Sequence, residues 1–329
     1  MLARGLYGRR GFRMEIRERA LPEPGPRDAL LRVRACGVCG TDLHFLRELG
    51  EWTPLGHEIA GEVAAVGAEV SRWKPGMAAV CEDVTLCGAC EMCKSGRTGL
   101  CRDGLTLSGQ PGASDYLLVD ERMLVPFEGI PFDAAAMVEP LAVAIRCVDK
   151  LRVSPAKSLL ILGTGAIALL CAAYAKLLGA GRIVTLGRPG ARFDAALPVA
   201  RAFGADEVRS FATDERFDGA LVAAPPSLAG EAVNYLRCGG TALVAGVAFD
   251  EGSKRATLDV SDMVFSKKSL ITSIAEPAQG FPLAAQLISS GRIDAGRIIT
   301  HRLSMEDAPE KLENCYREGA IKVVLQEGA

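Results

Sequence analysis

The texture of apolar positions divides the chain. Over roughly its first third, short runs alternate between apolar and polar and are closed by turn residues: ALLRVRACG at 29–37, GHEIAGEVAAVG at 56–67, then SDYLLVD and MLVPF, with PEPGP at 22–26 breaking the chain. A period of two bounded by Gly and Pro predicts strands. From about Leu159 the texture changes: LLILG, an Ala/Leu-rich stretch, RIVTLG, ALPVARAFGAD, DGALVAAP, AGEAVNYLRCGG and TALVAGV alternate strand with helix. That is the pattern of a doubly wound parallel sheet. In the tail, FPLAAQLISSGRI and MEDAPEKLENCYREG read as helices and IKVVLQ as a last strand. An α/β nucleotide-binding domain is therefore expected inside a β-rich one.

The stretch from Ser158 to Ala175, SLLILGTGAIALLCAAYA, holds eighteen residues without a charge, the lower limit for a membrane span. It divides more naturally into a β-like half, a glycine turn and a helical half, so a buried strand, turn and helix explain it better. The turn, Gly163-Thr164-Gly165-Ala166-Ile167-Ala168, fits G-x-G-x-x-G/A. Gly163 makes the tight turn, Gly165 lets a pyrophosphate approach the backbone, and the small Ala168 permits close helix packing. Between a strand and a helix the pattern predicts dinucleotide binding; the alternative is a turn that serves packing alone.

At 329 residues the chain is long enough for about two domains. Its 49% apolar and 24% charged residues are ordinary for a soluble globular protein, and a net charge of -2 argues against nucleic-acid or anionic-membrane partners. The opening MLARGLYGRRGFRMEIRERA reads as two short strands around a Gly turn, with Glu15 and Glu18 arriving early and no apolar signal core. A cytoplasmic protein is expected rather than a secreted one or one carrying a transit peptide.

Four of the eleven cysteines fall within CGACEMCKSGRTGLC at 87–101. A reducing compartment and an odd cysteine count disfavour disulfides. Cys87, Cys90 and Cys93 at three-residue intervals, with Cys101 eight later, can converge on one tetrahedral zinc, and four thiolates leave no open position. Such a site is structural; the remaining reading is unrelated thiols. A second metal site is suggested by ACGVCGTDLH and LGHE, which hold two of the three histidines. Cys39, His57 and a carboxylate would give three ligands and leave one position free. Taken alone, Cys36 and Cys39 also fit a redox pair, and His57 a structural histidine.

The order CGTDLH, GHE, CxxCxxC-x7-C, VEPLAVA at 138–144 and then the glycine turn resembles the zinc-dependent medium-chain dehydrogenase/reductase family across nearly the whole chain. The Glu-Pro element is similar to its polyol, butanediol and threonine dehydrogenase branch. The resemblance implies a β-rich GroES-like catalytic domain over 1–141 and 275–329, with a structural-zinc lobe at 81–101, and a Rossmann domain inserted over 142–274. It implies Cys39, His57 and Glu139 as catalytic-zinc ligands, with Glu58 a second acid at the metal; which acid binds directly varies within the branch. Asp42 matches an acid that orients the His57 ring. Thr41 and His44 match a proton relay, and Cys36 is read as a small buried thiol. A homodimer or homotetramer is implied as well, with pairing through the edge near VFSKKSLITSIA.

Seventeen residues separate Cys39 from His57, short for this family, and the missing segment would line the substrate cleft. After RIVTLG ends at Gly187, Arg188 and Arg192 follow with no acid before Asp194. An NAD-specific unit places an acid there, whereas arginine suits a 2′-phosphate, so NADP is expected over NAD. The expected function is hydride transfer between a secondary alcohol of a polyol, sugar or diol and a nicotinamide cofactor, with two zinc ions per chain. The alternatives are threonine 3-dehydrogenase-like activity on a 3-hydroxy amino acid, or a non-catalytic dinucleotide-binding protein.

Overall fold

The computed structural model describes residues 1–210, 214–274 and 280–328. Two compact units emerge: Met1–Ala142 with Glu276–Cys315 and Lys322–Ala329, and Val143–Ala275 with Tyr316–Ile321. The boundary expected at 274/275 adjoins residues 275–279, so its second residue lies outside the described ones.

In the first unit, the strand Asp28–Gly37 is central. It pairs antiparallel with Glu58–Val66, Tyr116–Asp120 and Lys322–Gln326, so the chain's last strand lies beside one of its first. The alternation read in ALLRVRACG does not appear as alternating burial. Ala29–Leu31 and Ala35–Gly37 are buried runs, and the register shifts between Leu30 and Leu31 and again between Val33 and Ala35. A strand with neighbours at both edges and bulges that rotate its faces loses the simple period of two. The N-terminal segment forms the expected hairpin, Leu2–Arg9 against Arg13–Ala20.

The second unit carries six parallel strands. In spatial order they are Glu207–Arg209, Arg182–Leu186, Ser158–Leu162, Phe217–Val222, Leu236–Val244 and Ser269–Thr272. In sequence order that is 3-2-1-4-5-6, the dinucleotide-binding arrangement, whose switch point lies between Ser158–Leu162 and Phe217–Val222. The uncharged stretch is strand Ser158–Leu162 followed by helix Ala166–Leu177; among the described residues no helix is long and apolar enough to cross a membrane. AGEAVNYLRCGG is helical only over Ala229–Asn234, and the next strand begins at Leu236, before the two glycines. A register shift against Phe217–Val222 absorbs the early start.

Gly163 closes the first strand at φ +131°, and a Cβ there would stand 2.6 Å from the Ala223 carbonyl oxygen. Its N–H donates to Leu186 O at 2.8 Å, and Ala223 N–H donates to Leu162 O at 2.9 Å, so the turn is tied to both neighbouring strands. A side chain at this position meets an unfavourable φ and a backbone clash together. Gly163→Ala is expected to destabilise the protein by about 1–3 kcal/mol and to weaken dinucleotide binding. Thermal unfolding with and without cofactor measures both; an unchanged midpoint and unchanged cofactor stabilisation would contradict the strained-turn reading.

Candidate active site and metal centres

Cys39 precedes the helix Gly40–Glu48 in extended conformation. One buried carboxylate joins this helix to the second ligand-bearing segment. Asp42 Oδ2 accepts from Cys39 N–H at 2.8 Å, while Asp42 Oδ1 accepts from Gly56 N–H at 3.0 Å. The His57 Nδ1 to Asp42 Oδ1 separation is 4.0 Å, beyond hydrogen-bond length. Asp42 therefore fixes the backbone on which His57 sits rather than gripping its ring. The segment between the two is itself anchored: the guanidiniums of Arg9 and Arg17 lie 4.6 and 4.3 Å from the Trp52 ring centre.

A sulfur of Cys39, a ring nitrogen of His57 and a carboxylate oxygen of Glu58 lie within 4.8 Å of one another. This mixed S, N and O set has the spacing and softness of a three-ligand zinc site. Glu139, in the first turn of helix Val138–Leu151, is not a member of that trio but faces it electrostatically. Burial pushes its carboxyl up to about 8, Glu58 and Asp83 push the same way, and His57 and Lys322 oppose them. His57 is raised well above its ordinary value: burial opposes its charging, but Cys39, Asp42 and Glu139 outweigh burial. Cys39, Asp42 and Glu139 thus set negative charge around His57, the electrostatics of a cavity suited to a cation.

Lys322 is a residue of this region that sequence reasoning missed. It is buried at the start of strand Lys322–Gln326, its ammonium donating to Glu58 Oε1 at 2.5 Å, Glu58 Oε2 at 2.7 Å and Val38 O at 3.0 Å. The available signal was a lone lysine opening an otherwise apolar strand, IKVVLQ. Thr41 and His44 sit three residues apart on the helix Gly40–Glu48, both half-buried, with His44 Nδ1 3.5 Å from Glu48 Oε1. Cys36 is buried, outside the trio, with its thiol pushed up by burial first and then by Asp42 and Glu58.

The four lobe cysteines converge. Cys87 and Cys93 sulfurs are 3.9 Å apart, Cys90 and Cys101 3.9 Å, and Cys101 and Cys87 3.6 Å. A tetrahedron with Zn–S bonds of about 2.3 Å has sulfur–sulfur edges of about 3.8 Å, so the spacing fits one zinc ion. Backbone N–H groups of Ala89 and Cys90 point at Cys87 Sγ at 3.4 and 3.3 Å and favour its thiolate. Backbone N–H groups of Cys93 and Arg102 bring Cys90 down to about 6. Desolvation and the neighbouring thiols push Cys93 up to about 12.

In the second unit, Gly165 caps the helix Ala166–Leu177 and Ala168 is fully buried beneath the turn. Gly187 follows strand Arg182–Leu186, and a Cβ there would be 2.5 Å from the Thr164 methyl. Arg188 is exposed just past this strand. Arg192 is engaged within its own unit: its Nε donates to Ala320 O at 3.2 Å and its guanidinium lies 5.5 Å from the Tyr316 ring centre. That local engagement leaves Arg188 as the freer of the two expected phosphate partners.

Residues 25–129 match the family described as alcohol dehydrogenase GroES-like domain. The chain is 30% identical to L-galactonate-5-dehydrogenase of Escherichia coli over 90% of each chain. It is 29% identical to sorbitol dehydrogenase of Bacillus subtilis over 94% of each. A structure described as a zinc-binding dehydrogenase of Sinorhizobium meliloti bound to NADP superposes with a TM-score of 0.87 at 26% identity, covering 99% of both chains.

Asp42 makes its own contribution measurable. Asp42→Ala leaves two N–H groups without their carboxylate and is expected to cost about 2–4 kcal/mol. The variant should also release metal faster than wild type. Urea unfolding and chelator-driven metal release test the two effects; wild-type values in both would remove the carboxylate's joining role.

Proposed function

We infer the reaction from one premise: this chain belongs to the zinc-dependent medium-chain dehydrogenase family. It is an NAD(P)-dependent oxidoreductase acting on the CH–OH group of secondary alcohols, with polyols, sugars or diols as its substrate class. The observation that carries this reading is the Cys39, His57 and carboxylate trio, an incomplete ligand set beside a lobe whose own four thiols are complete. A protein needing metal only for rigidity has no use for the incomplete set.

The open zinc is assigned to Cys39, His57 and one carboxylate, Glu58 by its distance and Glu139 by the family resemblance, and the closed one to Cys87, Cys90, Cys93 and Cys101, two ions per chain. Zinc, when bound, supplies the Lewis acidity that eases loss of a hydroxyl proton near neutral pH, and the nicotinamide accepts the hydride. The chain's own residues do the rest. Thr41 accepts the hydroxyl proton as its own hydroxyl proton passes on toward His44, one helical turn on, and from there to water. Gly163, Gly165 and Ala168 leave room for the pyrophosphate against the helix terminus. Arg188 offers a charged, planar partner for a 2′-phosphate, and no acid stands in its place, which favours NADP. The relatives' names point to open-chain polyols and sugar acids.

Association into a homodimer or homotetramer is supported by the strand Ser269–Thr272, which ends the parallel sheet, and by the exposed Val260, Val264, Phe265 and Ile274. The reducing state that four paired-up thiols need is that of the cytoplasm.

Two experiments test this function. A dye-linked screen of polyols, sugar acids, diols and threonine with both cofactors should give turnover on a polyhydroxy substrate, with kcat/KM higher for NADP and that preference lost in Arg188→Ala. No turnover on any of these alcohols by metal-loaded protein would reject the enzyme reading, and an NAD preference would reject the role of Arg188. Elemental analysis should find two zinc ions in wild type and one in Cys39→Ala with its melting point nearly kept, while Cys90→Ala loses stability as well as metal. Two ions remaining in Cys39→Ala would break the assignment.

A further inference from the structure

Thr41, His44 and Glu48 fall at i, i+3 and i+7 on the helix Gly40–Glu48, so they line one face of it from the metal-ligand end to the far end, about 10 Å along the axis. All three are half-buried, while Asp42, Leu43 and Leu46 take the buried face. The stripe starts beside a metal ligand: Cys39 Sγ lies 3.7 Å from Thr41 Oγ1. It ends at Glu48, whose Oε1 is 3.5 Å from His44 Nδ1. A carboxylate on the last residue of a helix is disfavoured by the helix dipole, which prefers cations there. The adjacent Arg47 turns its guanidinium to the Phe12 ring, 5.8 Å from its centre. Among the described residues, the ion partner found for Glu48 is His44.

We propose that Glu48 is a positioning residue that holds His44 Nδ1–H, so that Nε2 is the ring nitrogen left to take the relayed proton. The proposal rests on the relay reading above. Its physical basis is the two-sidedness of imidazole: in the neutral ring one nitrogen donates and the other accepts, and the hydrogen bond made by the first decides which is which. An ionised carboxylate only accepts, so opposite Nδ1 it fixes the proton there. The proton count then closes. The substrate O–H bond breaks as a Thr41 Oγ–H bond forms, the proton Thr41 gives up passes on to Nε2, and the imidazolium so formed has the Glu48 carboxylate as its counter-charge. With 24% and 26% of their side chains exposed, His44 and Glu48 are open enough to hand that proton to water. The 3.5 Å separation is at the long end of hydrogen bonding, which is common for catalytic contacts before substrate is bound. A pair serving helix stability alone would leave the reaction rate untouched when its charge is removed.

The chain has three histidines, His44, His57 and His301, so the tautomer of one of them can be read by nitrogen NMR. The test uses zinc-loaded, full-length protein with isotope-labelled histidine nitrogens, as wild type, Glu48→Gln, Glu48→Ala and His44→Ala, the last of which also assigns the His44 signals. The readouts are the two ring-nitrogen shifts in mildly alkaline buffer, the single-turnover rate of nicotinamide reduction on a polyol, and the thermal midpoint. Wild-type His44 should carry its proton on Nδ1 with Nε2 bare, a result that needs no variant to fold. In Glu48→Gln and Glu48→Ala the two nitrogens should move toward a mixture of tautomers and the single-turnover rate should fall by about tenfold, with the midpoint nearly kept. A wild-type proton on Nε2, a tautomer unmoved by Glu48→Gln, or an unchanged single-turnover rate would overturn the proposal. A His44→Ala protein that reduces the cofactor at the wild-type rate would instead show that the relay reading itself is wrong.

Discussion

Cys39, Asp42, Glu58 and Glu139 bring a thiol and three carboxyl groups into one largely buried region of the first unit, where water cannot screen their mutual repulsion. The surrounding structure answers that concentration of negative charge in three ways. Asp42 spends its charge on the backbone N–H groups of Cys39 and Gly56. Glu58 takes the ammonium of Lys322. Glu139 lies buried near the same groups, and burial pushes its carboxyl up to about 8 against the opposing pull of His57 and Lys322.

The same constraint explains the topology around the site. The last strand, Lys322–Gln326, pairs with Asp28–Gly37, so the cation for Glu58 arrives from 264 residues further along the chain. By contrast, the closed lobe is local: its thiols lie within 87–101, and the thiolates of Cys87 and Cys90 are favoured first by neighbouring backbone N–H groups. A local cluster holds a loop, whereas a site gathered from distant segments can be left open because its surroundings hold it in shape.

That difference also governs what the sequence could tell. The cysteine lobe and the turn Gly163 to Ala168 were legible because spacing along the chain is the whole of their geometry. The six parallel strands followed from alternating strand and helix signals. Asp42 was recognisable as an acid near the histidine, but its actual partners, two backbone N–H groups, leave no trace in side-chain patterns. Lys322 was missed because its meaning comes from a sheet pairing that no local window contains. The partners of Arg192, Ala320 O and the Tyr316 ring, likewise lie outside any local window.

The proposed function divides the labour between a closed all-thiolate site and an open mixed one. X-ray absorption at the zinc edge on the loaded protein addresses it directly. Five sulfurs shared by two ions should give about 2.5 sulfurs per zinc on average, with Zn–S near 2.3 Å and a nitrogen and oxygen shell near 2.0–2.1 Å. A shell of four sulfurs per zinc, or one dominated by nitrogen and oxygen, would contradict it.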